Sequence, residues 1–330
     1  MCTAISLGGA SAIFGRTLDL EHSYGEEAVI LPRGSAVECG WWPIENLAII
    51  GTAYVKDGFP LFFDAMNEHG LCAAALNFPV SAVYLPPADG RINIPSYAFI
   101  PHVLSVCASL AEAAELLRQV NITPDSFSHD LPATPMHWIF SDGRDSLIAE
   151  PMSGGLRVMP AASGVLTNEP PYDYQLMRLS ELMSLSPTVP QNRLFGEGEP
   201  KIYSGGMGAI GLPGDFSSTS RFVRAVYAAR YTECGGDGWG AISRFFHIAD
   251  TVSVPEGCST DTEGRATRTV YTSCYDITNR AYYVRTYDSH RIFSLSLELA
   301  EPDFARLLRA PFPKGGHADP LLPPSYKGHP

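Results

Sequence analysis

Pairs of short β-rich runs separated by turn residues constrain the fold of this chain most strongly. Residues 136–140 and 147–150 flank Asp142-Gly143, and residues 270–277 and 281–287 flank Thr278-Asn279. Such turns between β-rich runs are typical of hairpins. Hairpins pair neighbouring strands antiparallel, so the pattern argues against a doubly wound parallel sheet. Further strands are predicted at residues 48–55, 71–76 and 164–167.

Apolar residues at helical spacing predict four helices among these runs. Ser109 and Glu112 form a capping box at the start of the first helix, and Ser217 or Ser218 is the predicted N-cap of the third. The apolar faces are Ala113, Leu117 and Val120; Leu176, Leu179 and Met183; Phe222, Val226 and Ala229; and Ile242, Phe245, Phe246 and Ala249. Sheets with a few amphipathic helices indicate an α+β layered protein. We expect one domain over residues 1–310, followed by a flexible tail at 311–330 that holds six prolines and three glycines.

Charge and composition exclude several classes of function. The net charge of −12 argues against a nucleic-acid surface, and no apolar run is long enough to span a membrane. The first residues lack the basic and apolar regions of a signal peptide, and seven scattered cysteines indicate reduced thiols, so we expect a cytoplasmic protein. Nine histidines show no metal-binding spacing. We therefore expect no metal and no cofactor.

The chain begins Met1-Cys2, which is the first indication of chemistry. Removal of Met1 would leave Cys2 with both a thiol and a free α-amine. Their reference pKa values, about 8.5 for a thiol and about 7.7–8.0 for an α-amine, lie close to neutral pH. One residue could therefore serve as nucleophile and as general acid/base.

Arg16 and Asp19 strengthen this interpretation. If residues 5–7 and 12–14 pair around Gly8-Gly9, the segment from Arg16 to Asp19 returns beside Cys2. Arg16 would then favour the thiolate, and Asp19 would hold the amine. An ordinary Arg–Asp pair near a turn explains the same spacing equally well.

Nine short motifs follow one another along the chain from Met1 to about residue 300. They are Met1-Cys2-Thr3, Phe14-Gly15-Arg16-x-Leu18-Asp19, Asn67-Glu68-x-Gly70-Leu71, Leu76-Asn77-Phe78-Pro79, His137-Trp138, Val165-Leu166-Thr167-Asn168, Gly211-Leu212-Pro213-Gly214-Asp215, Ser220-Arg221-Phe222 and Tyr271-Thr272-Ser273-Cys274. In this order they resemble the motifs of the choloylglycine hydrolases, which include conjugated bile salt hydrolases and penicillin V acylases among the N-terminal nucleophile hydrolases.

This resemblance implies a fold and a set of roles. The fold would be a four-layer αββα arrangement, with two stacked antiparallel sheets between helical layers. Cys2 would be the nucleophile, while Asn168 and a backbone N–H near Asn77 would form the oxyanion hole. Arg16, Asp19 and Arg221 would set the charge and orientation of Cys2.

The implied substrates are conjugated bile acids, with penicillin V as the alternative. Asn77 favours bile salts, because penicillin V acylases often have tyrosine there. The positions that match substrate walls are Leu18, Leu20, Phe59, Phe127, Leu131 and Met136. An apolar lining of this kind suits a steroid, although it also suits a phenoxyacetyl group.

Two other classes of function remain open at this point. A glutamine-dependent amidotransferase also uses Cys2, but it usually begins Met-Cys-Gly, whereas Thr3 follows here. A non-enzymatic binding protein would have no need of an N-terminal thiol.

Two segments bear on specificity and assembly. Glu21, which precedes His22, would place a carboxylate at the mouth of the pocket, where it would disfavour the anionic end of a glycine or taurine conjugate. Residues 184–205 match in length a protruding hairpin that family members use in assembly, so we expect a homotetramer.

Overall fold

Two large antiparallel sheets form the centre of the protein. The computed structural model describes residues 1–9, 11–35, 46–193, 200–233, 238–299 and 306–316. The six strands of the first sheet are, in spatial order, β12 (Val165–Leu166), β1 (Cys2–Leu7), β2 (Ile13–Leu20), β13 (Arg268–Asp276), β14 (Ala281–Thr286) and β15 (Ser289–Ser296).

The second sheet has eight strands. Their order is β11 (Gly155–Pro160), β10 (Ser146–Met152), β9 (Met136–Ser141), β6 (Cys72–Asn77), β5 (Phe59–Asn67), β4 (Ile49–Lys56), β3 (Glu27–Leu31) and β16 (Leu308–Pro311). A small parallel pair, β7 (Ile92–Pro95) with β8 (Val120–Thr123), was not expected from the hairpin pattern.

Five α-helices lie in the described parts of the chain and cover the sheets. They are α1 (Phe99–Val106), α2 (Leu110–Leu117), α3 (Tyr172–Ser180), α4 (Ser218–Tyr231) and α5 (Trp239–Asp250). Of the helices in the described ranges, none combines the length and apolar character that crossing a membrane requires.

Alternating residues of β6 show how the layers stack. Cys72, Ala74 and Leu76 belong to one apolar core, which also contains residues of the first sheet and of α3, α4 and α5. Ala73 and Ala75 face the opposite way, into a second core that contains α1 and α2. Since the side chains of a strand alternate between its two faces, the second sheet is covered on both sides. The predicted αββα order is confirmed.

Gly15 on β2 lies where the backbone of β13 and the side chain of Phe245 on α5 come very close. A Cβ on Gly15 would lie 2.2 Å from the carbonyl oxygen of Ser273 and 2.4 Å from the ring of Phe245. Glycine at this position therefore lets α5 pack directly on β2 next to Arg16.

Most of the predicted local structure is confirmed. The hairpins β1–β2, β9–β10 and β13–β14 form as expected. The Oγ atoms of Ser109 and Ser217 accept hydrogen bonds at the starts of α2 and α4. Two helix boundaries were wrong. The helix α2 ends at Leu117, so Val120 lies in β8, and α3 ends at Ser180, so Met183 lies beyond it and is 82% exposed.

The segment between α3 and α4 and the start of the C-terminal tail differ from the expectations. Residues 184–193 and 200–205 form no strand, so the expected protruding hairpin is not present in these described parts of the segment. Pro311 belongs to the edge strand β16, and Phe312 packs against Tyr271, so the first residues of the predicted tail contact the domain. Residues 317–330 lie outside the described ranges, and the flexible tail stays a prediction there.

Candidate active site

The β1–β2 hairpin places Cys2 between two sets of charged groups. Cys2 pairs with Leu18, and Ala4 pairs with Arg16. Directly opposite residues of an antiparallel pair share one face, so Arg16 projects on the same face as Ala4. Cys2 lies two residues before Ala4 and therefore projects on that face too. Thr3 and Asp19 project on the other face, towards α4. The predicted return of Arg16 and Asp19 to the side of Cys2 is therefore confirmed.

Arg221 on α4 connects Cys2 with Asn168. Its Nη1 donates to the Cys2 carbonyl oxygen at 2.6 Å and to Thr3 Oγ1 at 2.7 Å. Its Nη2 donates to Asn168 Oδ1 at 2.8 Å, and this same oxygen accepts from the Cys2 backbone nitrogen at 2.8 Å. Arg221 is fully buried, so these bonds fix the first residues of β1 without competition from water.

Asp19 lies on the same side but does not bond the Cys2 nitrogen. Its carboxylate accepts from Thr17 Oγ1 and Thr269 Oγ1, and one oxygen lies 3.8 Å from Arg221 Nη1. We expected Asp19 to hold the amine of Cys2, whereas the hydrogen bond in this chain goes to Asn168. The carboxylate of Asp19 instead balances the buried charge of Arg221.

In the unprocessed chain, Met1 is bound to the backbone of Asp19 and keeps the Cys2 nitrogen in a peptide bond. Its amino group donates to the Asp19 carbonyl oxygen at 2.6 Å, and the Asp19 N–H donates to the Met1 carbonyl oxygen at 2.9 Å. The Cys2 nitrogen is then an amide and has no basic lone pair. Removal of Met1 would turn it into an amine.

Asn168 and Asn77 meet where an oxyanion hole was expected. Asn168 Nδ2 donates to the Asn77 carbonyl oxygen at 2.8 Å, which uses one of the two amide hydrogens of that nitrogen. Within the part of the chain that the structure describes, no hydrogen bond uses the second hydrogen, which can serve another acceptor. Both residues thus lie together, and Asn77 lines the same cavity as Cys2.

Arg16 extends from the hairpin towards the second sheet. Its guanidinium donates to the carbonyl oxygens of Thr17, Phe63 and Ala75, and its Nε lies 4.0 Å from Asp64. Burial would lower the pKa of Arg16, but the neighbouring Cys2, Tyr271, Asp64 and Asp19 raise it above its ordinary value. The charge therefore persists in the core.

The pKa of Arg221 is shifted in the opposite direction, below its ordinary value. Burial lowers its pKa, and the nearby Asp19 and Cys2 offset only part of this effect. Arginine nevertheless stays protonated at neutral pH. Two cations on opposite faces of the hairpin can thus stabilise negative charge that develops at Cys2.

A cavity of about 420 Å³ opens beside Cys2. Among the predicted wall residues, Leu18, Leu20, Phe127, Leu131 and Met136 line it. Phe59 does not: it is 3% exposed and packs behind the wall against Tyr97 and Phe127. The wall also includes residues that sequence reasoning missed, namely Tyr24, Tyr54, Leu61, Phe62, Phe63, Tyr97 and Ile100.

Glu21 lines the cavity as expected, but its charge has partners. Its Oε1 lies 3.2 Å from His22 Nδ1 and 3.5 Å from Arg265 Nη2. Arg265 also pairs with Asp261 and Glu263. The rim therefore holds mixed charges rather than an isolated carboxylate.

Comparison with known proteins shows the family to which this arrangement belongs. Residues 2–306 match the family model described as linear amide C–N hydrolases, choloylglycine hydrolase family. The chain belongs to this family. The resemblance inferred from the nine motifs is confirmed, and the protein is an enzyme of the linear amide C–N hydrolase type.

Two curated relatives align over nearly their whole length. The bile salt hydrolase/transferase of Lactiplantibacillus plantarum is 38% identical over 94% of this chain and 97% of its own. The bile salt hydrolase/transferase of Bifidobacterium longum is 32% identical over 93% of this chain and 99% of its own.

Solved structures agree with this assignment. The C2A mutant of conjugated bile acid hydrolase from Clostridium perfringens superposes with a TM-score of 0.90 at 30% identity, over 98% of this chain and 100% of its own. Penicillin V acylase from Agrobacterium tumefaciens gives 0.72 at 22% identity, over 94% of this chain and 90% of its own, which shows a shared fold.

Several residues that hold the site were missed by sequence reasoning. Thr3, Ser218 and Thr269 hydrogen-bond Arg221, the Asn168 N–H and Asp19, respectively. Each lies within or near a motif quoted above, but a hydroxyl gives no spacing signal that separates such a role from an ordinary surface position.

Proposed function

We propose that this enzyme hydrolyses the amide bond of glycine- or taurine-conjugated bile acids with Cys2 as its N-terminal nucleophile. The observation that carries the proposal is that Cys2 and Asn77 line one cavity whose remaining wall is mainly aromatic and aliphatic. A cavity of this size suits a small-molecule ligand, and an apolar wall suits a steroid. The relatives named above as bile salt hydrolases support the same substrate class.

The proposed reaction passes through a thioester. The Cys2 thiol adds to the amide carbon, and its proton passes to the α-amine and then to the departing nitrogen as the C–N bond breaks. Water then attacks the thioester carbon and gives one proton, through the α-amine, to the sulfur as the C–S bond breaks, which releases the free acid and restores the thiol. Asn168 Oδ1 would hold the α-amine throughout, since it already accepts from the Cys2 nitrogen.

The proposed oxyanion donors are the second Nδ2 hydrogen of Asn168 and a backbone N–H near Asn77. One such donor contributes about 2.7–4 kcal/mol of transition-state stabilisation in other hydrolases. Arg16, Asp19 and Arg221 are proposed to fix the geometry and charge around Cys2 rather than to touch the substrate.

The test is a comparison of kcat/KM for glycocholate, taurocholate and penicillin V on one preparation of enzyme from which Met1 has been removed. We expect both bile salts to exceed penicillin V by more than about tenfold, because the steroid covers more of the apolar wall. A higher value for penicillin V would refute the bile salt proposal and support the acylase alternative.

We further propose that the enzyme is a cytoplasmic homotetramer. The described cysteines, Cys2, Cys72, Cys107, Cys258 and Cys274, are all free thiols, which suits a reducing compartment. Large apolar side chains are exposed on and after α3, including Met177, Met183 and Tyr203. Burial of these side chains between subunits would remove them from water. Light scattering on the purified protein tests the assembly, and a monomer at micromolar concentration would refute it.

A further inference from the structure

The structure assigns His137 a positioning role: it holds together the two segments that carry the oxyanion donors. These segments are Asn77-Phe78 at the end of β6 and Thr167-Asn168 after β12. The inference rests on the proposed function, because it concerns how that oxyanion hole is built.

His137 contacts both segments with one ring. The imidazole is fully buried and stacks on the Phe78 ring, with centroids 4.2 Å apart and planes 7° from parallel. Its Nε2 lies 2.9 Å from the Thr167 carbonyl oxygen. A carbonyl oxygen only accepts, so this hydrogen bond assigns the proton to Nε2.

The Thr167-Asn168 peptide is held at both of its polar ends. His137 donates to its carbonyl oxygen, and its N–H donates to Ser218 Oγ at 2.8 Å. Two bonds on opposite edges of a planar unit fix its rotation. The direction of the Asn168 side chain, which bonds Cys2 and Arg221, then follows from this plane.

The Asn77-Phe78 peptide is held in the same way. Its carbonyl oxygen accepts from Asn168 Nδ2 at 2.8 Å, and its N–H donates to the Pro135 carbonyl oxygen at 2.9 Å. The imidazole covers the Phe78 ring that follows directly. A shift of the imidazole would therefore move both donors relative to each other.

Glu150 on β10 orients the imidazole from its other side. Its Oε1 lies 3.5 Å from His137 Nδ1 and accepts from the Tyr172 N–H at 2.8 Å, while Oε2 pairs with Arg157. Burial would raise the pKa of Glu150, but His137, Arg157 and the Tyr172 N–H lower it below its ordinary value. The 3.5 Å separation between Glu150 and Nδ1 is a contact rather than a hydrogen bond. The ring is thus held by the hydrogen bond at Nε2 and by its stacking on Phe78, with the Glu150 carboxylate packed beside its other nitrogen.

The test compares two variants with a matched control. His137→Gln removes the imidazole, Phe78→Leu removes the stacked ring, and His247→Gln changes an exposed histidine on α5. The readouts are kcat and KM for glycocholate, the inhibition constant of the C24 aldehyde of cholic acid, and that of cholate. The aldehyde forms a tetrahedral adduct with Cys2 whose oxygen needs the oxyanion donors, whereas cholate binding reports on the wall.

We expect His137→Gln and Phe78→Leu to lower kcat by about 10- to 100-fold, because misplaced donors lose most of their stabilisation of the transition state. Aldehyde affinity should fall by the same factor, while KM and cholate affinity stay close to wild type. The His247→Gln control should match wild type throughout.

Other results would overturn the inference. A folded variant with wild-type kcat, or with reduced kcat but undiminished aldehyde affinity, would show that His137 only packs the core. If His137→Gln does not fold, Phe78→Leu decides on the same readouts. Failure of the wild type on glycocholate refutes the proposed function alone, and the variants are then compared on penicillin V.

Discussion

Asp64 is a buried carboxylate between the two sheets, and its replacement by asparagine tests what its charge contributes. Its oxygens accept hydrogen bonds from the hydroxyls of Tyr271 and Tyr275, and one lies 4.0 Å from Arg16 Nε. Both Asp64 and Arg16 are 0% exposed. Asp64→Asn keeps the shape and one acceptor but removes the carboxylate that pairs with Arg16 at 4.0 Å, which leaves the more distant Asp19.

The expected loss in the free energy of unfolding follows from these contacts. Removing one partner of a buried ion pair costs about 3–5 kcal/mol, and the 4.0 Å separation places this pair at the lower end, about 3 kcal/mol. The matched control Tyr275→Phe removes one hydrogen bond to the same carboxylate and should cost about 1.5 kcal/mol, the lower end for a hydrogen bond to a charged group. We expect kcat to fall as well, since Arg16 shares a face with Cys2.

The assay is denaturant unfolding at pH 7 and fixed protein concentration, with the slope m compared between variants. Burial raises the pKa of Asp64, whereas Arg16 and the tyrosine hydroxyls lower it, with a net upward shift. If burial left the carboxyl neutral, asparagine would mimic it well. A loss for Asp64→Asn no greater than that for Tyr275→Phe would refute the ion-pair reasoning.

Three further predictions concern the wall, the rim and the pH dependence. Phe127→Ala should lower kcat/KM for glycocholate by about tenfold, and less for penicillin V, because a steroid covers more of the wall; Phe59→Ala, behind the wall, should change both substrates equally. Glu21→Gln should raise kcat/KM for taurocholate by no more than about fivefold, since Arg265 already offsets the carboxylate; a larger gain would contradict this offset. The lowered pKa of Glu150 means that its ionised form stabilises the fold above its ordinary value of about 4.3 and that this contribution is lost as the pH falls further. The stability difference between wild type and Glu150→Gln, measured by unfolding at several pH values, should therefore shrink below about pH 4.3.

Local patterns predicted the hairpins and two helix caps because their signals are short in sequence. Asp142-Gly143 in the second sheet, and the serines at the starts of α2 and α4, act within a few residues. By contrast, α1 was missed because its sequence, FIPHVLSV, is almost entirely apolar and includes a proline in the first turn. The parallel pair β7–β8 was missed because its strands lie far apart in the chain.

In the candidate site, too, residues close in sequence were predicted, whereas contacts between distant strands were not. The Cys2, Arg16 and Asp19 cluster follows from one hairpin, so residue spacing was enough to place it. Phe59 was assigned to the wall by its match to the family, and such a match does not say which apolar side chain faces the cavity and which packs behind it. His137 and Asp64 were not singled out for a role because their partners, Thr167 and Tyr271, become neighbours only when distant strands stack.

The central claim is that the nitrogen of Cys2 must be a free amine for turnover. A fusion whose protease site leaves Cys2 as the first residue allows one preparation to be assayed before and after cleavage, with a Cys2→Ser fusion as the control. The account predicts that cleavage raises kcat for glycocholate by about 10²- to 10⁴-fold, the usual contribution of a general base, and that the serine control stays inactive. Equal turnover before and after cleavage, with mass spectrometry confirming the intact fusion, would contradict it.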